Sequence, residues 1–199
     1  PVSTLLEKQY QVPAAFYTEE YIAAIKEILK KENIDFFLPI SESEIEVLKH
    51  MKVEIEAVGV KILLNNELIL DNFLDKLKTI KYLENIGIKI PKTMPLAAHD
   101  GSMEYPLIVK SVKGHGSKKL WKIENSLDLD YFKHKDDGSL IIQELIGNED
   151  GDYTTGVFSD GKTVSSITFK RKLGYGGLSI EAIFVDEPFL DELSQRVGR

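Results

Sequence analysis

The sequence predicts an α/β protein that becomes α+β in its second half, and three observations carry that prediction. Helical and short apolar β-type segments alternate up to about residue 64. After about Ala97 the texture becomes rich in strand-like runs. Between the two, Pro91–Tyr105 gathers Pro, Gly, Ser and Asp, the composition of a junction. Alternation of helices with short apolar strands is the pattern of a parallel layer covered by helices.

Taken in order, Thr18-Glu19-Glu20 opens a helix whose Tyr21, Ile22, Ile25, Ile28 and Leu29 share one face, and Asn33 ends it. Residues 34–40 follow as a buried strand. Ser41 or Ser43 caps a second helix bearing Ile45, Leu48, Met51 and Ile55, Gly59 breaks it, and residues 60–64 read as another strand. Asn65 or Asn66 caps a short helix, and Asp75 opens the next, with Leu77, Ile80, Leu83 and Ile86 at helical spacing and Gly87 at its end. Further on, Leu107–Val109 reads as a strand, and Pro188–Arg196 has a helical texture.

Composition excludes several functions. Lys+Arg 25 against Asp+Glu 32 leaves a net charge of −7, which argues against general binding to nucleic acid or an anionic membrane. A small polyanion held by a few local cations is still allowed. There is no cysteine, so disulfides, thiol catalysis and cysteine metal sites are impossible. No apolar run reaches the length of a membrane span and no signal-peptide pattern opens the chain, so a cytoplasmic location is expected. Homo-oligomerisation is compatible with these features but not dictated by them.

The strongest functional clue is a local reversal of charge. Residues 107–122 read LIVKSVKGHGSKKLWK, with five lysines, no acid and two glycines in the middle. Lys110 follows the strand, and Gly114-His115-Gly116-Ser117 can turn with its N–H groups exposed toward an anion. An ordinary hairpin with a solvated lysine face is the alternative. A second motif is deceptive. Residues 156–163, GVFSDGKT, fit the phosphate-loop pattern G-x-x-x-x-G-K-[ST] letter for letter. That mechanism needs a helix beginning at Lys162-Thr163, whereas Val164–Phe169 favours strand and Asp160-Gly161 favours a tight turn. A β-hairpin is therefore expected.

Four segments in order resemble the ATP-grasp superfamily, in particular members similar to the carbamoyl-phosphate synthase large subunit. They are Asp75-Lys76 with Tyr82-Leu83 and Gly87–Thr93; Pro106–Lys110 with Gly114–Ser117; Ile141–Ile146 followed by Asp152-Tyr153-Thr154; and Thr168–Lys172 with the glycines up to Gly177. The resemblance implies a partial ATP-grasp fold preceded by the remnant of a parallel α/β pre-grasp domain. It places that remnant at residues 1–64, connecting helices at 65–100, a first lobe with the glycine loop at 101–145 and the start of a second lobe at 146–199.

The resemblance also implies a site for ATP. Lys76 would reach the phosphates from a helix start, and Lys110 would contact the α- and β-phosphates from the end of its strand. Gly114, His115, Gly116 and Ser117 would fold over the β- and γ-phosphates. Glu144 would offer its carbonyl and Ile146 its N–H to adenine, with Gln143 and Leu145 beside them. Asp152 would bind ribose, with Glu149 and Asp150 as alternatives. Lys170 and Arg171 would lie near the γ-phosphate or substrate as the catalytic pair, although strand alternation sends them to opposite faces, so that one of them faces the ligand. A triphosphate needs cations and N–H donors from several elements, which agrees with this set.

The family's Mg2+ ligands come later in its chain, so they are expected beyond Arg199, and a fragment truncated at both ends is expected. The implied activity is that of an ATP-dependent ligase acting on a small carboxylate and a nucleophile through an acyl-phosphate, with release of ADP. A nucleotide-binding or regulatory module without turnover is the alternative. In a third reading the lysines are surface residues alone.

Overall fold

The computed structural model describes residues 7–114, 119–147, 152–174 and 177–199. It divides into two compact units, Pro1–Leu74 and Asp75–Arg199.

The first unit runs α1 (Thr18–Lys31), β1 (Phe36–Phe37), α2 (Glu42–Glu56), β2 (Lys61–Ile62) and α3 (Glu67–Phe73). β1 and β2 are parallel, with Phe36 opposite Lys61 and Phe37 opposite Ile62. Tyr21, Ile22, Ile25 and Leu29 of α1 pack with Leu48 and Ile55 of α2 and with Val60 and Ile62 in one core. α2 begins in a capping box, in which Ser41 Oγ accepts from Glu44 N and the Glu44 carboxylate accepts from Ser41 N. The buried Tyr21 hydroxyl donates to the same carboxylate at 2.8 Å and so ties α1 to the start of α2.

The buried strand expected at 34–40 is shorter and more exposed than its composition implies. Only Phe36 and Phe37 are strand, while Phe36, Leu38 and Ile40 are exposed. Alternation explains it. Phe37 and Pro39 turn toward the interior, and Phe36, Leu38 and Ile40 between and beside them turn outward from a two-stranded layer packed on one side.

The second unit opens with α4 (Lys76–Asn85), then β3 (Thr93–Pro95), a 3-10 turn at Leu96–Ala98, β4 (Leu107–Ser111), β5 (Leu120–Ile123), α5 (Ser126–Lys135) and β6 (Leu140–Glu144). The four strands form an antiparallel sheet in the order β3-β6-β4-β5. Leu107 and Val109 of β4, Ile123 of β5 and Ile142 of β6 are fully buried with Leu96, Leu129 and Leu140 in a second core. Residues 91–105, whose composition suggests a junction, supply the edge strand β3 and the buried Leu96, and the two units divide instead between Leu74 and Asp75. Polar, turn-forming residues mark a change of direction, and here the chain changes direction at the surface while returning Leu96, His99 and Met103 to the interior.

β7 (Asp152–Ser159), β8 (Val164–Leu173) and β9 (Ser179–Val185) form a separate antiparallel meander, followed by α6 (Pro188–Gly198). The GVFSDGKT motif is the β7–β8 hairpin. Ser159 pairs with Val164, Gly161 turns at φ +81°, and the Asp160 carboxylate accepts from the N–H groups of Lys162 and Thr163. No helix N-terminus follows it, and the motif cannot act as a phosphate loop.

Candidate nucleotide site

Two lysines are brought together at the N-terminus of α4. Asp75 is its N-cap and accepts from Leu77 N and Lys78 N through Oδ1. Lys76, the first helical residue, is fastened to the loop leaving β4 at two points. Its backbone N–H donates to Val112 O at 3.1 Å, and its Nζ donates to Gly114 O at 2.7 Å. Gly114 has φ +96°, the left-handed region that a glycine enters freely.

Lys110 reaches the same place from β4. Leu107 and Val109 point into the core, so alternation sends Ile108 and Lys110 to the other face of the sheet. On that face Gln143 lies opposite Ile108, which makes it the diagonal neighbour of Lys110. Lys110 Nζ donates to Gln143 Oε1 at 2.7 Å. Burial, and secondly the charge of Lys76, hold the Lys110 ammonium below the ordinary lysine pKa. Among the described residues neither Lys76 nor Lys110 forms an ion pair, whereas Lys26, Lys49 and Lys122 each pair with an acid. Two neighbouring ammoniums without a carboxylate repel one another until an anion enters between them.

Gln143 is almost fully buried, and both ends of its amide are bonded, since its Nε2 donates to Thr93 Oγ1 at 2.6 Å. Glu144 closes the sheet. Its N–H donates to Lys92 O at 3.0 Å and its carboxylate accepts from Lys92 N at 2.7 Å. The Glu144 side chain is thus engaged with the backbone entering β3. Leu145 and Ile146 leave the sheet exposed.

The other expected residues lie on the meander. Asp152 stands opposite Arg171, and Lys170 opposite Tyr153. α6 covers the face of Val164, Ser166 and Thr168, where Ser166 bonds Asp191 and Gln195 Nε2 donates to Val164 O. By alternation Lys170 belongs to that covered face, while Arg171 and Asp152 share the uncovered one. Arg171 Nη1 donates to Ser179 Oγ at 3.3 Å, and its buried Nε has no partner among the described residues.

The structure therefore gathers Lys76, Lys110, Gly114 and Gln143 in one group and Asp152 with Arg171 in another. Among the described residues no hydrogen bond or ion pair links the two groups. His115, Gly116, Ser117, Glu149 and Asp150 lie outside the described residues. Nothing in the sequence marks Thr93 as a site residue, because only the strand register places it against Gln143.

Known proteins resemble the chain in both units. The PylC-like N-terminal domain matches residues 1–63. The carbamoyl-phosphate synthase of Methanobrevibacter smithii is 32% identical over 140 residues, which are 61% of this chain and 38% of that protein. The L-amino acid ligase of Bacillus licheniformis superposes with a TM-score of 0.65 at 17% identity, over 96% of this chain and 48% of the ligase. The biotin carboxylase domain of Hydrogenobacter thermophilus 2-oxoglutarate carboxylase, solved with MgADP, ADP and bicarbonate, gives 0.68 at 13% identity, over 89% of this chain and 44% of that one. The chain thus spans less than half the length of each of these proteins. Likeness to the two solved structures is one of fold. The model of the ATP-grasp domain matches residues 73–177, over half of the chain, and the protein belongs to the ATP-grasp family.

Proposed function

We propose that the Asp75–Arg199 unit binds ATP with its triphosphate against Lys76 and Lys110, and that the whole protein uses it as a ligase. The observation that carries this reading is that Lys76, bonded to Val112 O and Gly114 O beyond β4, and Lys110, at the end of β4, form no ion pair among the described residues. A triphosphate supplies the missing negative charge, and it would replace the Gly114 carbonyl that Lys76 Nζ now holds. Gly114, His115, Gly116 and Ser117 would cover the phosphates. The exposed segment after β6 would meet adenine with Glu144 O and Ile146 N–H, flanked by Gln143 and Leu145. Asp152, or Glu149 or Asp150 in its place, would meet ribose. Of the pair Lys170 and Arg171, Arg171 is the better placed for a ligand, because its face of the meander is not covered by α6. Residues 101–145 and 146–199 are read as two lobes closing on the nucleotide.

In the reaction proposed, a carboxylate oxygen of a small acid takes the γ-phosphoryl group and ADP departs. A nucleophile then displaces phosphate from the acyl-phosphate. Positioning and charge neutralisation supply most of the rate in such a transfer, which suits a site composed of lysines. The named relatives, a carbamoyl-phosphate synthase and an amino acid ligase, favour this class. Among the described residues no group of three or more His, Asp or Glu side chains is gathered as a metal site requires, and no step is assigned to Mg2+.

The test measures ATP binding by calorimetry, and ADP release with candidate carboxylates and amines. Lys110→Ala should weaken ATP about 10- to 100-fold, the worth of a charge-assisted hydrogen bond and its field. Unchanged affinity would refute the site. Binding without ADP release by the whole protein, whatever acid and amine are supplied, would favour a non-catalytic nucleotide module.

A further inference from the structure

We infer that Thr93 is a positioning residue for Lys110, acting by setting which end of the buried Gln143 amide faces the ammonium. The inference rests on the reading that Lys110 meets the phosphates. Thr93 stands directly opposite Gln143 across β3 and β6, and Lys110 is the diagonal neighbour of Gln143 across β6 and β4. A chain of three hydrogen bonds runs through these positions. Thr93 Oγ1 donates to Pro91 O at 2.8 Å, Gln143 Nε2 donates to Thr93 Oγ1 at 2.6 Å, and Lys110 Nζ donates to Gln143 Oε1 at 2.7 Å.

The polarity of this chain has one solution. A hydroxyl has a single hydrogen, and the Pro91 carbonyl can only accept it. Thr93 Oγ1 is then an acceptor toward Gln143, so the NH2 end of the amide must face Thr93. The amide oxygen is left facing Lys110. A flipped amide would set NH2 against the ammonium, donor against donor, and would set a carbonyl against a hydroxyl with no hydrogen left to give. Gln143 is 7% exposed, so water cannot repair the mismatch. The amide also uses one of the three ammonium protons and leaves two for an anion. Thr93 thereby fixes both the position of Lys110 Nζ and the directions of its free donors from the far side of β6.

Because Lys110 is held below the ordinary lysine pKa, ATP affinity should fall on the alkaline side as it loses its proton, and the position of that fall reports its surroundings. The experiment records ATP affinity against pH for the wild type, Thr93→Val, Thr93→Ser, Gln143→Glu and Lys110→Ala. Valine keeps the shape and removes the hydroxyl, freeing the amide to turn. Thr93→Val should weaken ATP by about tenfold and move the alkaline fall to lower pH, since the charged lysine loses its fixed acceptor. Thr93→Ser should restore both. Gln143→Glu presents oxygen at both ends and should move the fall to higher pH, which keeps the contact testable if the valine variant does not fold. An alkaline fall that stays in place in Thr93→Val, or in Gln143→Glu, overturns the inference while Lys110→Ala still weakens binding. If Lys110→Ala binds ATP as the wild type does, the nucleotide reading itself fails.

Discussion

The two sheets of the Asp75–Arg199 unit differ in how firmly they can hold a side chain. β3-β6-β4-β5 is built from strands of three to five residues, yet Leu107, Val109, Ile123, Ile141 and Ile142 are fully buried. The β7–β9 meander has strands of eight, ten and seven residues, yet among its described residues Thr168 alone is buried. Its uncovered face presents Phe158, Ile167 and Phe184 beside Arg171 and Asp152. Strand length is a matter of local pairing, whereas burial requires a second layer on the sheet. The first sheet is therefore stiff enough to hold Lys110 half-buried with its partners fixed, and the meander relies on α6.

The comparison breaks most directly at the core. Ile142→Ala, at a position with no exposure, should cost about 3–4 kcal/mol in denaturant unfolding of this unit. Ile167→Ala, on the open face of the meander, should cost under about 1 kcal/mol. Equal losses would erase the distinction between the sheets.

Next in size is the tie between α6 and α4. Arg196 Nη2 donates to Ile86 O at 3.0 Å and to Gly87 O at 2.8 Å, placing a cation on the C-terminal carbonyls of α4. Arg196→Ala should cost about 1–2 kcal/mol. Hydrogen exchange should then speed in β7–β9 before it speeds in β4 and β6; a uniform change would show that the two regions open together.

Asp75→Ala should cost about 1 kcal/mol of helix capping and loosen the site through Lys76, whose affinity effect calorimetry would register. Asp75→Asn, still able to cap, should recover most of both.

The smallest effect is one of pH. His99 is buried, neither ring nitrogen has a partner among the described residues, and burial first, then the charge of Lys133, holds its pKa below the ordinary 6.5, with Lys92 adding to this and Asp100 opposing it. Below about pH 6.5 the unfolded chain takes up a proton that the folded chain resists, so stability falls as pH drops from 7 toward 5. His99→Leu should flatten that slope in thermal melts of the four-stranded region, and a slope unchanged by the substitution would assign it elsewhere.

What was legible in the sequence was local. Ser41, Asn66 and Asp75 cap helices as their side chains suggest, each accepting from N–H groups two or three residues on. The Asp160-Gly161 turn overruled the phosphate-loop letters because strand propensity on both sides is also a local property. Less legible was the exposure of residues 36–40, since an apolar run reads alike whether one or two layers cover it. The lysines were visible as types and positions, but their meeting was not.

By itself the sequence determined the family, the caps, the turns and the alternation that sends Lys110 away from the core. Only the tertiary structure decided that Thr93, fifty residues before Gln143, accepts a hydrogen bond from its amide. It alone decided that α6 lies on the Lys170 face of β8 and leaves Arg171 on the open one. Capping and turn formation depend on bonds spanning a few residues, which the chain carries wherever it goes. Register and coverage depend on which distant segments pack together, and that is settled by the burial of the whole unit.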